Sequence, residues 1–192
     1  AGAVQPGDED DYFQSGLFSI ARRRILWLLI LVLPNGLTTK VIAMNDQILK
    51  EIVLLAAFIP LLIGTGGNVG AQSSTVVIRG LSTQKLKSLG AFKAVVKEAI
   101  TGALLGILMM LVVFPFAWWQ GEGPLIAFAV GISLISITTL AATAGAILPL
   151  LFDRMGLDPA LMSSPFITTV TDIAGVFIYL STANWLLNSS ML

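Results

Sequence analysis

The chain has 192 residues, 56% of them hydrophobic and only 11% charged, with a formal net charge of zero and a mean hydropathy of +0.89. A soluble domain carries about 25% charged residues, so the composition describes a polytopic, all-α integral membrane protein, and zero net charge argues against nucleic acid as a partner. There is no Cys and no His, which excludes disulfides, thiolate metal sites, Cys nucleophiles, Ser–His proteolysis and His-Glu-x-x-His zinc chemistry.

Residues 1–21 are polar and irregular, with the acidic run Asp8-Glu9-Asp10-Asp11. They read as a solvated linker approaching the membrane. With no initiating Met and no cationic lead into a short apolar core, the stretch is not a signal peptide, and its abrupt start reads as a piece of something longer. Arg22-Arg23-Arg24 then precedes a first predicted span, Ile25–Met44, interrupted by Pro34, Asn35 and Gly36. The second predicted span, Ile52–Ile78, contains Pro60-Leu-Leu-Ile-Gly-Thr-Gly-Gly-Asn-Val-Gly-Ala-Gln72. Gly and Pro weaken a helix, and backbone groups freed at membrane depth survive only against other protein or beside a water-filled path. Gly66 and Gly70 have the spacing of a close helix contact. Asn68 and Gln72 add polar amides, which suit a pathway better than a dry seam.

A basic stretch from Arg79 to Lys97 leads to a third span, Ala99–Trp119, ending in the Trp118-Trp119 pair that suits a membrane interface. The fourth, Leu125–Phe152, is rich in Ser133, Ser136, Thr138, Thr139, Ala141, Ala142, Thr143 and Gly145, a pattern read as tight helix packing. Asp158-Pro159 is an N-cap and first-turn pair opening the fifth span, which runs to Leu187. Five spans put the termini on opposite sides. With the N-terminus cytoplasmic, nine of the eleven basic residues lie inside and only Lys40 and Lys50 outside. This orients the C-terminus outward in a multi-pass cell-membrane protein.

Ten of the eleven acidic residues lie in tails, loops or span ends; Asp172 is the exception. At about 1.5 Å per residue it sits roughly 21 Å along its helix from Asp158. A carboxylate at membrane depth costs at least about 2.5–3.5 kcal/mol on insertion scales, so it must face a cavity or a partner. Ser164, Thr168, Thr171, Gly175 and Thr182 follow the helical period, and Thr169 and Asp172 flank them in a broad polar stripe. Asp172 tied to Asn68 or a threonine is the structural alternative. Lys and Arg are confined to span ends and loops, so a mobile cation is the natural counter-charge. Without His or Cys, any metal site is built of oxygens, which suit Mg²⁺, Ca²⁺ or Mn²⁺ rather than Zn²⁺ or Cu²⁺. One carboxylate makes no selective divalent site, whereas two copies about a symmetry axis make an acidic ring able to hold a hydrated ion. Such a site therefore requires a dimer.

Pro60 through Gly80, with Gly64-Thr-Gly-Gly-Asn-Val-Gly-Ala-Gln72 at its heart, closely resembles the second-helix signature of MgtE-type magnesium channels. Asp158-Pro-Ala-Leu-Met-Ser-Ser-Pro-Phe-Ile-Thr-Thr-Val-Thr-Asp172 resembles their fifth-helix signature. The basic run into Lys97-Glu98 and the Arg-rich lead into Trp27 fit as well, so the resemblance covers residues 20–190. It implies a homodimer of five-helix subunits with a pore on the two-fold axis between the second and fifth helices. It further implies passive, potential-driven Mg²⁺ influx, with Mn²⁺, Co²⁺ or Ca²⁺ as further ions able to bind. On this resemblance Asp172 is the ion-binding carboxylate and Thr168 offers a backbone carbonyl to the hydrated ion. Gly64, Gly67 and Asn68 fall on the pore wall, with Thr169, Thr171 and Gly175 along the facing helix. Ser164, where the family often has Asn or Gly, and Pro165 fall near the cytoplasmic mouth. Family members usually carry a cytosolic N-terminal helical domain and paired CBS modules that close the pore as Mg²⁺ rises. Residues 1–21 are then expected to be the end of a connecting helix and 22–192 the pore domain.

A secondary transporter coupling a divalent ion to H⁺ or Na⁺ is the alternative. An enzyme is not expected: an intramembrane aspartyl protease needs two catalytic carboxylates and Gly-x-Gly-Asp, and the glycine stretch fits no nucleotide-binding loop.

Overall fold

The computed structural model describes residues 17–83, 86 and 90–189; the acidic run Asp8–Asp11 and the lysines Lys85 and Lys87 lie outside them. The described residues form α1 (Leu17–Met44), the short α2 (Asp46–Glu51), α3 (Val53–Ser82), α4 (Ala91–Ala117), α5 (Pro124–Arg154) and α6 (Pro159–Ser189). A single π-helical turn, Trp118–Glu122, ends α4. Among these, α3, α4, α5 and α6 are each long and apolar enough to cross a membrane, and α1 contributes a shorter apolar stretch, Leu31–Met44.

Hydropathy locates these helices but not all of their ends. α4 starts at Ala91, eight residues before the predicted Ala99, because a helix continues past the membrane surface wherever its polar residues still suit a helix. Lys93, Lys97 and Glu98 do so here. What starts it is Gly90, whose φ of +85° only glycine adopts without strain. α1 likewise is already helical at Leu17, the first described residue, ahead of the predicted Ile25. Asp158 behaves as an N-cap: its Oδ1 accepts a hydrogen bond from the Ala160 N–H at 2.8 Å. α3 runs unbroken through Pro60 and the glycines, although Pro60 removes the N–H that would have bonded the Ala56 carbonyl.

α5 is the central helix. It packs against α3, α4 and α6, while α1 rests chiefly on α6. Small residues set these crossings. A Cβ at Gly102 of α4 would stand 2.7 Å from the Ala142 Cβ, and one at Gly66 of α3 would stand 2.7 Å from Ile137 Cγ2. Gly70 and Gly145 bring the backbones of α3 and α5 together, and there the Ser73 hydroxyl donates to the Ala142 carbonyl at 2.8 Å. Ser133, Thr138, Ala141, Ala142 and Gly145 are buried, which gives the small-residue pattern of the fourth predicted span its packing role. The core proper joins Leu55, Phe58 and Leu62 of α3 to Leu134 and Ile137 of α5 and to Val176 and Leu180 of α6. Tyr179, fully buried, donates its hydroxyl to the Leu55 carbonyl at 3.1 Å and so links α6 to α3.

Candidate ion-pathway site

α3 and α6 meet along a seam in which Gly66 lies against Thr171 and Gly70 against Ile167. The seam is close because neither glycine has a side chain, and because the Thr171 hydroxyl turns back onto its own helix. That hydroxyl donates to the carbonyls of Ile167 and Thr168, both at 2.9 Å. Its polarity is thus satisfied locally, and only its methyl and Cβ are presented to α3. Thr171 is completely buried.

Both helices also carry faces that the rest of the chain does not cover. On α3 these are Gly64, Asn68, Ala71, Gln72 and Thr75, all exposed, with Gly67 half-buried. A Cβ at Gly64 or Gly67 would meet nothing within 4 Å. On α6 they are Ser164 and Thr168, exposed, with Pro165, Thr169 and Asp172 half-buried. The Thr168 hydroxyl donates to the Pro165 carbonyl at 2.9 Å, and the Thr168 carbonyl accepts from the Thr171 hydroxyl in addition to its place in the helical ladder. Pro165 also deprives the Leu161 carbonyl of its intrahelical donor. The mouth of α6 is therefore rich in acceptor oxygens, the donor type a hydrated hard cation prefers.

The predicted site residues thus separate into two groups. Gly64, Gly67, Asn68, Ser164, Pro165, Thr168, Thr169 and Asp172 lie on uncovered or partly covered positions. Thr171 and Gly175, placed by helical period in the same polar stripe as Asp172, are buried. Thr171 faces α3, and Gly175 faces Ile137 of α5. Among the described residues no three acidic side chains gather as a metal site. Two features were not anticipated. Ala71 and Thr75 extend the open face of α3 by one and two turns beyond Gly67 and Asn68, a continuation that the helical period would have given. Ser163 is buried with no hydrogen-bond partner for its hydroxyl among the described residues, and no sequence signal marks it.

Comparison with known proteins follows the same lines. The family model of MgtE, a divalent cation transporter, matches residues 59–182, which span both helices of the seam and everything between them. "Magnesium transporter MgtE" of Thermus thermophilus is 38% identical over 178 residues, which cover 93% of this chain and 39% of that protein. The protein of the same name from Enterococcus faecalis is 36% identical, with 85% of this chain and 36% of that protein covered. The one from Bacillus subtilis is 32% identical, with 94% and 40% covered. The chain spans about two fifths of the length of these curated relatives. A family match across the two helices that carry the open polar faces, on a fold of several membrane-length helices, places this multi-pass membrane protein in the MgtE family of divalent cation transporters.

Proposed function

We propose that the chain is the pore-forming part of a Mg²⁺ channel. It works as a homodimer of five-span subunits, α1 supplying the first span, with a passive, potential-driven ion path on the two-fold axis between α3 and α6. The observation that carries this reading is Asp172, a carboxylate at membrane depth with no basic side chain in its span, on a helix whose neighbouring Ser164 and Thr168 stay uncovered. In a closed monomer such a group would be an uncompensated cost. Two copies facing one another hold a divalent cation with its inner waters. The Thr168 carbonyls and the hydroxyls of Ser164 and Thr169 receive those waters, since Mg²⁺ gives up its hydration shell reluctantly. Gly64, Gly67 and Asn68 form the opposite wall, where missing side chains keep the bore wide. Pro165 shapes the mouth, and Thr171 and Gly175 set the wall's position from behind.

The charge asymmetry supports an inward N-terminus. On the far side Lys50 is paired with Asp46 within α2, which further weakens the positive charge there. In the full-length protein, cytosolic N-terminal and CBS domains would precede α1 and regulate the path. The names carried by the relatives support Mg²⁺ as the ion.

The test is Mg²⁺ uptake into liposomes holding the purified chain under an imposed membrane potential, with no counter-ion gradient. Uptake by the wild type that disappears in Asp172→Ala is the expected result. Uptake unaffected by Asp172→Ala would assign the carboxylate to structure. Uptake appearing only with a H⁺ or Na⁺ gradient would favour the coupled transporter.

A further inference from the structure

The outer side of α4 presents Val96, Ile100, Leu104, Leu108 and Val112, all exposed and one helical turn apart. α4 packs chiefly on α5, with little contact to α3, so this stripe points away from the seam of α3 and α6. At its membrane-surface end it runs into a shallow groove of about 320 Å³ lined by Phe92, Lys93, Val96, Lys97, Ile100 and Thr101. The two ammonium groups belong to residues one turn apart, roughly 6 Å along the axis. Neither Lys93 nor Lys97 takes part in an ion pair among the described residues. The neighbouring carboxylate, Glu98, does not line this groove; it lines a second cavity, between α3 and α4, together with Arg79 and with Lys97, which borders both. The Thr101 hydroxyl is already engaged by the Lys97 carbonyl at 2.9 Å. What remains is a doubly cationic head at the start of an apolar track that runs into the bilayer.

We propose that this groove binds an anionic phospholipid, its phosphate between Lys93 and Lys97 and one acyl chain lying along Val96, Ile100, Leu104 and Leu108. Charge complementarity selects the occupant. Long lysine stems lie over apolar surface and lift their ammonium groups to the headgroup level, where anionic lipids attract cations. A zwitterionic lipid satisfies the track but not the paired charge. The inference uses the membrane-spanning character of the chain and is independent of the ion path.

The experiment is native mass spectrometry of the purified chain, equilibrated with equal amounts of phosphatidylglycerol and phosphatidylcholine, for wild type, K93Q/K97Q and the control K50Q. Lys93 and Lys97 are exposed, so the double variant keeps its fold. Wild type and K50Q are expected to retain phosphatidylglycerol over phosphatidylcholine by about thirtyfold, in keeping with the pull of anionic lipid on two surface lysines. K93Q/K97Q is expected to fall to near parity. Equal retention of both lipids by the wild type would overturn the proposal, as would a preference that survives in K93Q/K97Q. Displacement of phosphatidylglycerol by excess inorganic phosphate alone would assign the lysines to a free anion and overturn the lipid site. Since ion uptake is not measured, failure here leaves the pore reading untouched.

Discussion

α3 carries two kinds of glycine, and the difference between them separates packing from function. Gly66 and Gly70 face inward, where a Cβ would stand 2.7 Å from Ile137 Cγ2 at the first position and 2.5 Å from Ile167 Cγ2 at the second. Their absence of side chain is explained entirely within the subunit. Gly64 and Gly67, within a turn of these two but on another face of the helix, have open space where a Cβ would go. Nothing among the described residues requires them to be small. Gly in a helix costs about 0.5–1 kcal/mol relative to Ala, and the proposed two-fold ion path supplies a reason for keeping it there. The same division runs through α6, where Thr171 belongs to the seam and Asp172, the next residue, does not.

The strongest challenge to this division is Gly70→Leu. It is expected to destabilise the fold by about 3 kcal/mol, the upper part of the range for overpacking, as read from reversible unfolding in mixed micelles. A stable Gly70→Leu protein would break the packing half of the comparison. Tyr179→Phe, which removes the bond to Leu55 but keeps the ring, should cost about 0.6–1.7 kcal/mol in the same assay. Ser73→Ala removes the single bond to Ala142 and should cost about 0.6 kcal/mol, the average for such bonds between membrane helices. A gain rather than a loss is expected at Gly67→Ala, about 0.5–1 kcal/mol from replacing a helical glycine, while Mg²⁺ uptake falls although the protein stays folded. Unchanged uptake in Gly67→Ala would break the functional half.

The membrane-length helices, the N-cap at Asp158 and the packing role of the small residues in α5 were all legible, because hydropathy, capping chemistry and residue size act locally. The rotational setting of α6 was not. Thr171 and Asp172 share a polar stripe by period, but a threonine that bonds its own backbone can enter a seam that a carboxylate cannot. Polarity alone does not distinguish the two. The start of α4 was hidden for a different reason: hydropathy registers where the bilayer ends, and Lys93 and Lys97 are helical beyond it. Asp172, Asn68 and the glycines stood out because each contradicts what a lipid-facing span would contain.

The hydroxyls of α5 carry one more consequence. Thr138, Thr139 and Thr143 donate to carbonyls one turn back at 2.8, 2.6 and 2.7 Å, and Ser136 does so at 3.1 Å. A proton hopping along side chains needs each donor to hand over to a neighbouring acceptor on the next group. These four donors are each committed to their own helix, so none of them hands a proton to the next. At these four positions the central helix is polar in composition yet presents its neighbours with methyls and Cβ atoms, so its hydroxyls serve packing rather than exchange.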